Sequence, residues 1–316
     1  MVSRYRAPVR ALVVSNMAAS RENPARGVFV RDQVTALARI PDVEVELFEF
    51  LPGALSYPLA AVALRRRYDP RALDIVHAHF GLTAWPSLAL RGPRHAVTLH
   101  GTDVRHRRSR RLTLAALEHM DLVATVSESL SAELGPRTPP PAVLPCGVAL
   151  DRFRPIAREA ARMALGLDLN TPCLLFPADP NRASKRFDRA HEVAGRVRLM
   201  TLGATAPDHV TLAINAANAV LVPSDAEGFG LAVLEALACD VPVLATPVGM
   251  HEQVLEGIEG TLCAPYDRDR WVAALAPALA DPDPRVQGRA RAGEYSSDVM
   301  AQRVAFAWRS LLATDR

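Results

Sequence analysis

Residues 218–239 read NAVLVPSDAEGFGLAVLEALAC, and this stretch decides the fold. It opens with a short, continuous apolar run from Ala219 to Val222, which is typical of a strand buried on both faces of a parallel sheet. A polar loop with two glycines follows, and a helix is predicted from Phe229 to Ala238. A strand that leads through a loop into a helix is the repeating unit of α/β folds.

The same alternation extends over the whole chain. Strands are predicted at 9–15, 43–50, 74–80, 95–100, 121–126, 142–145, 173–177, 198–203, 219–223, 242–246 and 261–264. Helices are predicted at 28–39, 110–119, 128–134, 186–195, 208–217, 229–238, 268–280 and, in the tail, 298–312. Near-continuous apolar strands separated by helices indicate parallel sheets covered on both faces. We therefore expect an α/β protein with two doubly wound, Rossmann-like domains.

The charge changes sign along the chain. Residues 1–155 carry 21 basic and 14 acidic side chains, a net charge of +7, whereas residues 156–316 carry 16 and 20, a net charge of −4. Opposite signs indicate two domains with different partners. We expect domains at 1–155 and 156–297, followed by a C-terminal helix at 298–316.

The composition excludes several classes of protein. Hydrophobic residues make up 49% of the chain, too many for an intrinsically disordered protein. The longest apolar stretch, 51–64, is too short to span a bilayer and is interrupted by Pro52 and Pro58. No secretory signal peptide is apparent, and four cysteines without a CxxC pair fit a reducing compartment. We expect a cytoplasmic protein, with peripheral attachment to the inner face of the membrane as an open alternative.

Two arginine clusters lie in the positive half, at 65–67 and 105–111. Aromatic residues are not interleaved with them, so a stacking platform for nucleic acid is not expected. The clusters favour an anionic membrane surface or a phosphate-bearing acceptor. A merely solvated, arginine-rich surface is the equally weighted alternative.

Polar residues at the carboxyl ends of the strands are the candidates for ligand binding, because doubly wound sheets bind ligands there. We expect them to ring one cleft between the two sheets. They are His77, His79, His100, Gly101, Thr102, Asp103, Ser127, Ser129, Arg182, Lys185, Gly203, Ser224, Asp225 and Glu227. No third ligand accompanies His77 and His79, so no metal site is predicted.

Glu227 and Glu235 form the sharpest constellation. Glu227 lies in the loop after a strand, the glycines at 228 and 230 free the backbone, and a helix begins directly afterwards. Unpaired amides at a helix N-terminus can hold a phosphate. Glu235 is expected two turns into the helix, buried on the cleft side, where a carboxylate needs hydroxyl partners or a cation. The alternative is a helix-capping Glu227 and a surface Glu235.

This segment resembles the two-glutamate signature of retaining glycosyltransferases with the GT-B architecture, in particular family four, the group 1 type. Further blocks agree in the same order along the chain. They are Ser15-Asn16-Met17, Asn23-Pro24, Gly27-Val28-Phe29-Val30, His100-Gly101-Thr102-Asp103, Thr125 to Ser129, Leu144 to Val148, Asp151 to Pro155, Asn218 to Ser224 and Pro242 to Gly249.

The resemblance implies a role for each matching residue. His100, Glu227 and Lys185 would be catalytic. The donor would be bound by Gly27, Arg182, Lys185, Gly203, Glu227, Gly228, Phe229, Gly230, Leu231 and Glu235. Asp103, Arg105, Arg107 and Arg108 would lie on the acceptor side, and no metal would be required. The tail helix would return to the first domain, as in relatives.

The activity implied is transfer of a hexosyl-type sugar from a UDP-sugar or GDP-sugar to an acceptor hydroxyl, with the anomeric configuration retained. Polysaccharide, glycolipid or glycoside biosynthesis would use such a reaction. The acceptor could be anionic or lipid-linked, and a peripheral contact with an anionic membrane is expected more than nucleic acid. A non-catalytic GT-B homologue that binds a sugar nucleotide or a protein partner is the alternative.

Several positions depart from the family pattern. Cys146 stands where asparagine is usual, Asp240 where glycine is frequent, and Pro180 where an arginine precedes the lysine. The second domain is shorter by about one strand–helix unit. Lys185 is the only lysine among 37 basic residues, and it falls at the family's phosphate-binding position.

Overall fold

The computed structural model of the chain describes residues 8–21, 23–137, 139–203, 205 and 207–314. The remaining residues, including 1–7 and 315–316 of the expected domains, lie outside the described part. Two compact units are present. The first combines residues up to Ser20 with Arg26–Gly147 and the chain from Ser297 onward, and the second combines Arg21–Ala25 with Val148–Ser296. The first unit's main segment therefore ends short of the boundary expected at residue 155.

Each unit contains one parallel sheet. The first has six strands in the order β2-β1-β3-β4-β5-β6, and the second has five in the order β11-β10-β9-β7-β8. All eleven predicted strands are confirmed. Their bounds are β1 Val9–Ser15, β2 Val43–Glu49, β3 Ile75–His79, β4 Arg94–Leu99, β5 Leu122–Thr125, β6 Ala142–Val143, β7 Cys173–Phe176, β8 Arg198–Thr201, β9 Ala219–Val222, β10 Val243–Ala245 and β11 Leu262–Cys263.

Helices connect the strands. They are α1 Val28–Leu37, α2 Ser56–Arg67, α3 Ala84–Ser87, α4 Thr102–Arg105, α5 Arg107–Leu117, α6 Glu128–Leu134, α7 Arg158–Ala164, α8 Phe187–Ala194, α9 Pro207–Ala216, α10 Leu231–Ala238, α11 His251–Leu255, α12 Arg268–Ala280, α13 Arg289–Gly293 and α14 Ser297–Ala313. Helix α5 begins three residues before the expected start at 110, and α10 begins at Leu231 rather than at 229, because the glycine-containing loop extends to Gly230.

One face of the first sheet is covered by α1 and by the tail helix α14. Met300, Val304 and Trp308 recur at intervals of four in α14 and are buried in one cluster with residues of β1 and α1. Full burial of side chains of this size contributes about 1.5–3 kcal/mol each. The amphipathic tail pattern thus explains why α14 belongs to the first unit.

The other face of the first sheet is covered by α2, α3 and α5. Leu64 of α2 and the following Tyr68 pack on Leu12, Val14 and Val76 of the sheet. The predicted helices do not include one at this place, and the observed helix occupies residues that form part of the longest apolar stretch.

Asp240 explains one departure from the family pattern. It follows α10 with a φ of 57°, in the left-handed region where glycine is usual. Its Oδ1 accepts hydrogen bonds from the backbone N–H groups of Gly288 and Arg289, at 3.0 and 2.8 Å. These two bonds offset the cost of a side chain in this conformation, which is lowest for Asn and Asp among L-residues.

Candidate functional site

The loop between β9 and α10 in the second unit is fixed by hydroxyl groups. Ser224 is buried, and its Oγ donates a hydrogen bond of 2.7 Å to Oε1 of Glu227. Thr246, which follows β10, donates from Oγ1 to the carbonyl oxygen of Ser224 at 2.5 Å. The adjacent strand therefore holds the start of the loop and, through Ser224, the orientation of the glutamate.

Lys185 and Glu227 form a close ion pair. The Nζ atom of Lys185 lies 2.5 Å from Oε1 and 2.7 Å from Oε2 of Glu227, and the side chains are only 16% and 10% exposed. Burial alone would raise the pKa of Glu227, but the Lys185 ammonium and the Ser224 hydroxyl outweigh it and hold the pKa below its ordinary value. Glu227 is therefore ionised at neutral pH.

The turn that carries Lys185 is tied to the same loop. Lys185 ends a short 3-10 turn after β7, and the backbone N–H of Asp225 donates to the carbonyl oxygen of Ser184 at 2.9 Å. This link and the ion pair join two segments that lie 42 residues apart in the sequence. The site is consequently assembled by the sheet order, in which β7 is the direct neighbour of β9.

Gly230 is required by the packing beneath the loop. Its φ is 109°, and a Cβ atom at this position would collide with the imidazole of His251. His251 is fully buried, and its Nδ1–H donates to the carbonyl oxygen of Thr246 at 2.8 Å. Burial lowers the pKa of His251, so the ring is neutral, and its Nε2 has no hydrogen-bond partner among the described residues.

Two arginines that are not among the predicted site residues lie next to this loop. Arg186 pairs with Asp188 at 2.6 Å and with Asp225 at 3.2 Å. Arg189 pairs with Asp225 at 2.8 Å and donates to the carbonyl oxygen of Pro223 at 3.1 Å. Their charges therefore hold the loop in place. Only the closeness of Arg186 and Arg189 to Lys185 in the sequence could have indicated this role.

The other predicted donor-binding residues are distributed around this loop. Arg182 is exposed at the start of the turn, and Gly203 lies just beyond β8. The Phe229 ring is buried near Tyr295, so its backbone is the part available to a ligand. Glu235, expected to be buried, is half-buried in α10, as are Leu231 and Gly228 near its N-terminus.

A chain of three histidines occupies the carboxyl ends of β3 and β4 in the first unit. His77 and His79 are two residues apart in one strand, so both point to the same face, and their ring centroids are 5.2 Å apart. His79 Nδ1 lies 2.9 Å from Nε2 of His100. Burial lowers the pKa of His77 to about 4 and that of His100 to about 3, with His77 adding to the effect on His100. All three rings are neutral at physiological pH, since burial also holds the pKa of His79 well below its ordinary value.

Hydrogen bonds determine which ring nitrogens carry the protons. Trp308 donates from Nε1 to Nδ1 of His77 at 3.0 Å, so His77 carries its proton on Nε2 and donates it to Oγ1 of Thr98 at 2.8 Å. Nε2 of His79 is buried and has no partner among the described residues. Because a buried unpaired N–H is rarer than an unpaired acceptor, we place the proton of His79 on Nδ1, where it is donated to His100. The remaining proton of His100 then lies on its own Nδ1.

Asp103 holds the backbone next to His100. Its carboxylate accepts hydrogen bonds from the N–H groups of Gly81 at 3.1 Å, His100 at 3.2 Å and Gly101 at 2.8 Å. Burial raises its pKa in spite of these bonds. The loops after β3 and β4 are thereby joined, which gives Asp103 a positioning role.

The predicted acceptor-side arginines differ in their surroundings. Arg105 forms an ion pair with Glu133 at 2.6 Å. Arg107 and Arg108, together with Arg111, line an open cavity of about 480 Å³ on the surface of α5. The three lining residues therefore present positive charge to a ligand.

Gly27 precedes α1 with a φ of 72°, and a Cβ atom there would collide with the carbonyl oxygen of Met17. Glycine is thus required by backbone packing, whatever ligand approaches.

Within the described ranges, no group of three or more His, Cys, Asp or Glu side chains is arranged to hold a metal ion. In the same part of the chain, no helix combines the length and apolar character needed to cross a bilayer.

Comparison with known proteins gives matches over both units. The family model described as Glycosyltransferase Family 4 matches residues 11–152, and the one described as Glycosyl transferases group 1 matches residues 170–298. A D-inositol 3-phosphate glycosyltransferase of Mycolicibacterium paratuberculosis is 30% identical over 85% of this chain and 72% of its own length. Another of that name, from Mycobacterium avium, is 36% identical over 46% of this chain, and the match spans only 42% of that relative.

Solved structures match the fold at low sequence identity. Sucrose-phosphate synthase from Thermosynechococcus elongatus has a TM-score of 0.75 at 21% identity, over 98% of this chain and 100% of that one. HepE of Anabaena, solved in complex with UDP and glucose, has a TM-score of 0.69 at 16% identity, over 96% and 100% of the two chains. These likenesses show the architecture of the two sheets.

Proposed function

The chain belongs to the group 1 glycosyltransferases of family four and has their GT-B fold, and we propose that it transfers a sugar from a nucleotide diphosphate sugar to an acceptor hydroxyl. The transferred group is of the hexosyl type, and the anomeric configuration is retained. UDP-sugars and GDP-sugars are the donor classes. Polysaccharide, glycolipid or glycoside biosynthesis would use this reaction.

The Lys185–Glu227 pair is the observation that carries the proposal. It places a cation and a hydrogen-bond acceptor side by side near the N-terminus of α10, where the N-cap residue Gly230 has no side chain to cap the first backbone amides. Unpaired amides at a helix N-terminus and an adjacent ammonium stabilise a diphosphate. A neighbouring carboxylate accepts hydrogen bonds from sugar hydroxyls. The same small region therefore offers binding groups for both the diphosphate and the sugar of a nucleotide sugar.

Charge development explains the catalytic roles. As the bond between the anomeric carbon and the diphosphate oxygen breaks, its electron pair leaves with the phosphate. Lys185 has three donor hydrogens, and two of them serve Glu227, so the third is available to that oxygen. A preorganised cation stabilises the transition state where negative charge develops. Arg182, exposed on the same turn, adds a second positive charge.

Retention is assigned to substitution on the same face of the sugar. The acceptor oxygen forms its bond to the anomeric carbon on the side that the diphosphate leaves, and its proton passes to the departing phosphate oxygen. In this scheme, His100 contributes a neutral N–H donor rather than a base, because its Nδ1 carries the proton and its Nε2 accepts the hydrogen bond from His79. Neither step requires a metal ion.

The acceptor is proposed to be anionic. Arg107, Arg108 and Arg111 line a cavity of about 480 Å³ in the first unit, and a phosphate group on a small polyol fits such a lining. Two relatives are named D-inositol 3-phosphate glycosyltransferases, which supports a phosphorylated polyol. A cytoplasmic location, at the inner face of the membrane, is part of the same proposal.

A donor panel tests the proposal. The protein is incubated with UDP-, GDP- and ADP-sugars and inositol phosphate, and release of nucleoside diphosphate is followed, with the configuration of any product read from NMR coupling constants. We expect turnover with a UDP- or GDP-sugar, a retained anomeric centre and a loss of about 100-fold in Glu227→Ala. Equal turnover in wild type and Glu227→Ala would refute the catalytic assignment, and binding without turnover on any acceptor would favour the non-catalytic homologue.

A further inference from the structure

Helix α2 exposes a continuous apolar stripe. Leu55, directly before the helix, is 78% exposed, Leu59 is 67% exposed and Val62 is 48% exposed. The intervals of four and three residues place these side chains on one face. Isolated exposed leucines are common, because a folded chain has too little polar surface to cover itself. This does not explain several exposed apolar side chains that are aligned on one helix face.

The opposite face of the same helix already packs on the protein. Ala60 and Leu64 are buried against the sheet. The stripe is therefore a second apolar face, directed to solvent, and no described residue covers it. Leu51, in the loop that leads into the helix, is 46% exposed and extends it toward the carboxyl edge of the sheet.

Neighbouring helices contribute to the same side of the first unit. Helices α2, α3 and α5 cover one face of the sheet, and Trp85 of α3 and Leu112 of α5 are 39% and 55% exposed. Six of the ten large exposed hydrophobic residues in the described part of the chain thus lie on this helical layer or on the loop before it. The concentration of exposed apolar residues on this layer indicates an extended apolar surface, and a partner that covers it removes these side chains from water.

Positive charge borders the stripe. Arg65, Arg66 and Arg67 end α2 and are exposed, and the helix contains no acidic residue. Arg66 continues the stripe at the interval expected for three helical turns after Leu55. In the described structure, none of the three arginines pairs with a carboxylate. An apolar stripe with adjacent arginines that have no carboxylate partner is complementary to acyl chains beneath anionic headgroups.

We propose that this face, defined by Leu51, Leu55, Leu59, Val62 and Arg65–Arg67, docks on the surface of an anionic lipid bilayer. The apolar side chains enter the headgroup region, and the arginines contact lipid phosphates. Because α2 begins at the carboxyl edge of its parallel sheet, docking brings the edge that carries His100 close to the lipid. The proposal rests on the membrane location proposed above and names the surface responsible, and its vesicle test is independent of the turnover that tests the glycosyltransferase activity.

Vesicle binding provides the test. The full chain is mixed with vesicles of phosphatidylcholine alone or with about 30% phosphatidylglycerol, and binding is measured by sedimentation and by Trp85 emission. The other two tryptophans, Trp271 and Trp308, are fully buried, so a blue shift on binding reports Trp85. We expect binding to the anionic vesicles, a blue shift, and weaker binding at high salt.

Matched variants separate the stripe from general adhesion. We expect Leu55→Ser/Leu59→Ser to weaken binding about tenfold or more, because two leucines no longer enter the lipid. The same loss is expected for Arg65→Gln/Arg66→Gln/Arg67→Gln. Phe306→Ser, at a site 72% exposed on the other face of the sheet, and Arg268→Gln/Arg270→Gln in the second unit should bind as wild type.

Three outcomes would overturn the proposal. One is wild-type binding no stronger to anionic than to neutral vesicles. Another is unchanged binding of the Leu55→Ser/Leu59→Ser protein. The third is equal loss in the Phe306→Ser control. All of the substituted side chains are exposed, so the folded state is expected to persist, and circular dichroism verifies it.

Discussion

The Lys185–Glu227 pair yields a stability prediction that requires no knowledge of the substrate. We consider the variants Lys185→Met, Glu227→Gln and the double variant. Each single variant leaves one partner of a largely buried ion pair, and the double variant leaves neither charge. A double-mutant cycle then gives the coupling energy between the two side chains.

The magnitude follows from the geometry. Two unit charges about 3 Å apart attract each other by about 5–6 kcal/mol at an effective dielectric constant of about 20. Desolvation of both groups offsets more than half of this attraction, and their residual exposures of 16% and 10% admit some solvent screening. We expect a coupling energy of about 2 kcal/mol. Lys185→Met should cost about 3 kcal/mol, because Glu227 would retain only the Ser224 hydroxyl among its two hydrogen-bond partners.

Native-state hydrogen exchange is the appropriate assay, because two units need not unfold together. Amides of β7 and β9 report the local opening free energy of the second unit in all four proteins. A match between the double variant's loss and the sum of the two single losses, within about 0.5 kcal/mol, would refute the claim that the ion pair stabilises this site.

Three further predictions concern the two sites. First, the folded-state pKa of Glu227 is depressed, so the contribution of Glu227 to the free energy of unfolding is complete above the unfolded pKa of about 4.3 and is lost as the pH falls through the folded value. Urea titrations should therefore show that wild type loses more stability than Glu227→Gln on acidification from about pH 5. Parallel curves for the two proteins would contradict this. Second, Gly230→Ala should destabilise the second unit by about 2 kcal/mol or more, because the added Cβ atom would collide with His251 and the backbone has a positive φ. If the variant melted at the same temperature as wild type, the packing argument would be wrong. Third, Trp308→Phe should lower the free energy of unfolding by about 2 kcal/mol, because it removes the hydrogen bond to His77 Nδ1. In 15N NMR, the His77 ring should then no longer show a single fixed tautomer. An unchanged ring spectrum would count against the assigned proton positions.

Most strands were predictable because they are short apolar runs, and the central ones β1, β7 and β9 are buried along nearly their whole length. β9, for example, is apolar and buried at all four positions, and a run of that length is typical of a strand rather than of a helix. Helix α2 was not predicted because its apolar residues point both to the sheet and to solvent, so the polar face that marks an amphipathic helix is missing. Its outer stripe becomes visible only once the buried side is known.

The individual site residues were easier to find than their connections. Lys185 and Glu227 each stand in a recognisable block, but their ion pair depends on which strands are neighbours, and sequence reasoning did not set the strand order. The contact of Trp308 with His77 spans 231 residues, and no local pattern indicates it. Arg186 and Arg189 were missed because surface and loop-holding arginines look alike in a chain with 36 of them.

Ligand-induced stabilisation tests the central claim, that the Lys185–Glu227 region binds a nucleotide sugar. The melting temperature is measured with saturating UDP-glucose, GDP-mannose and ADP-glucose for wild type, Lys185→Gln and the surface control Arg270→Gln. At about 100 times the dissociation constant, binding to the folded state adds about 2.7 kcal/mol, which corresponds to a rise of about 5–10 °C for a unit of this size. We predict this rise with a UDP- or GDP-sugar in wild type and Arg270→Gln, and a much smaller one in Lys185→Gln. No rise with any nucleotide sugar, or an equal rise in Lys185→Gln, would contradict the account.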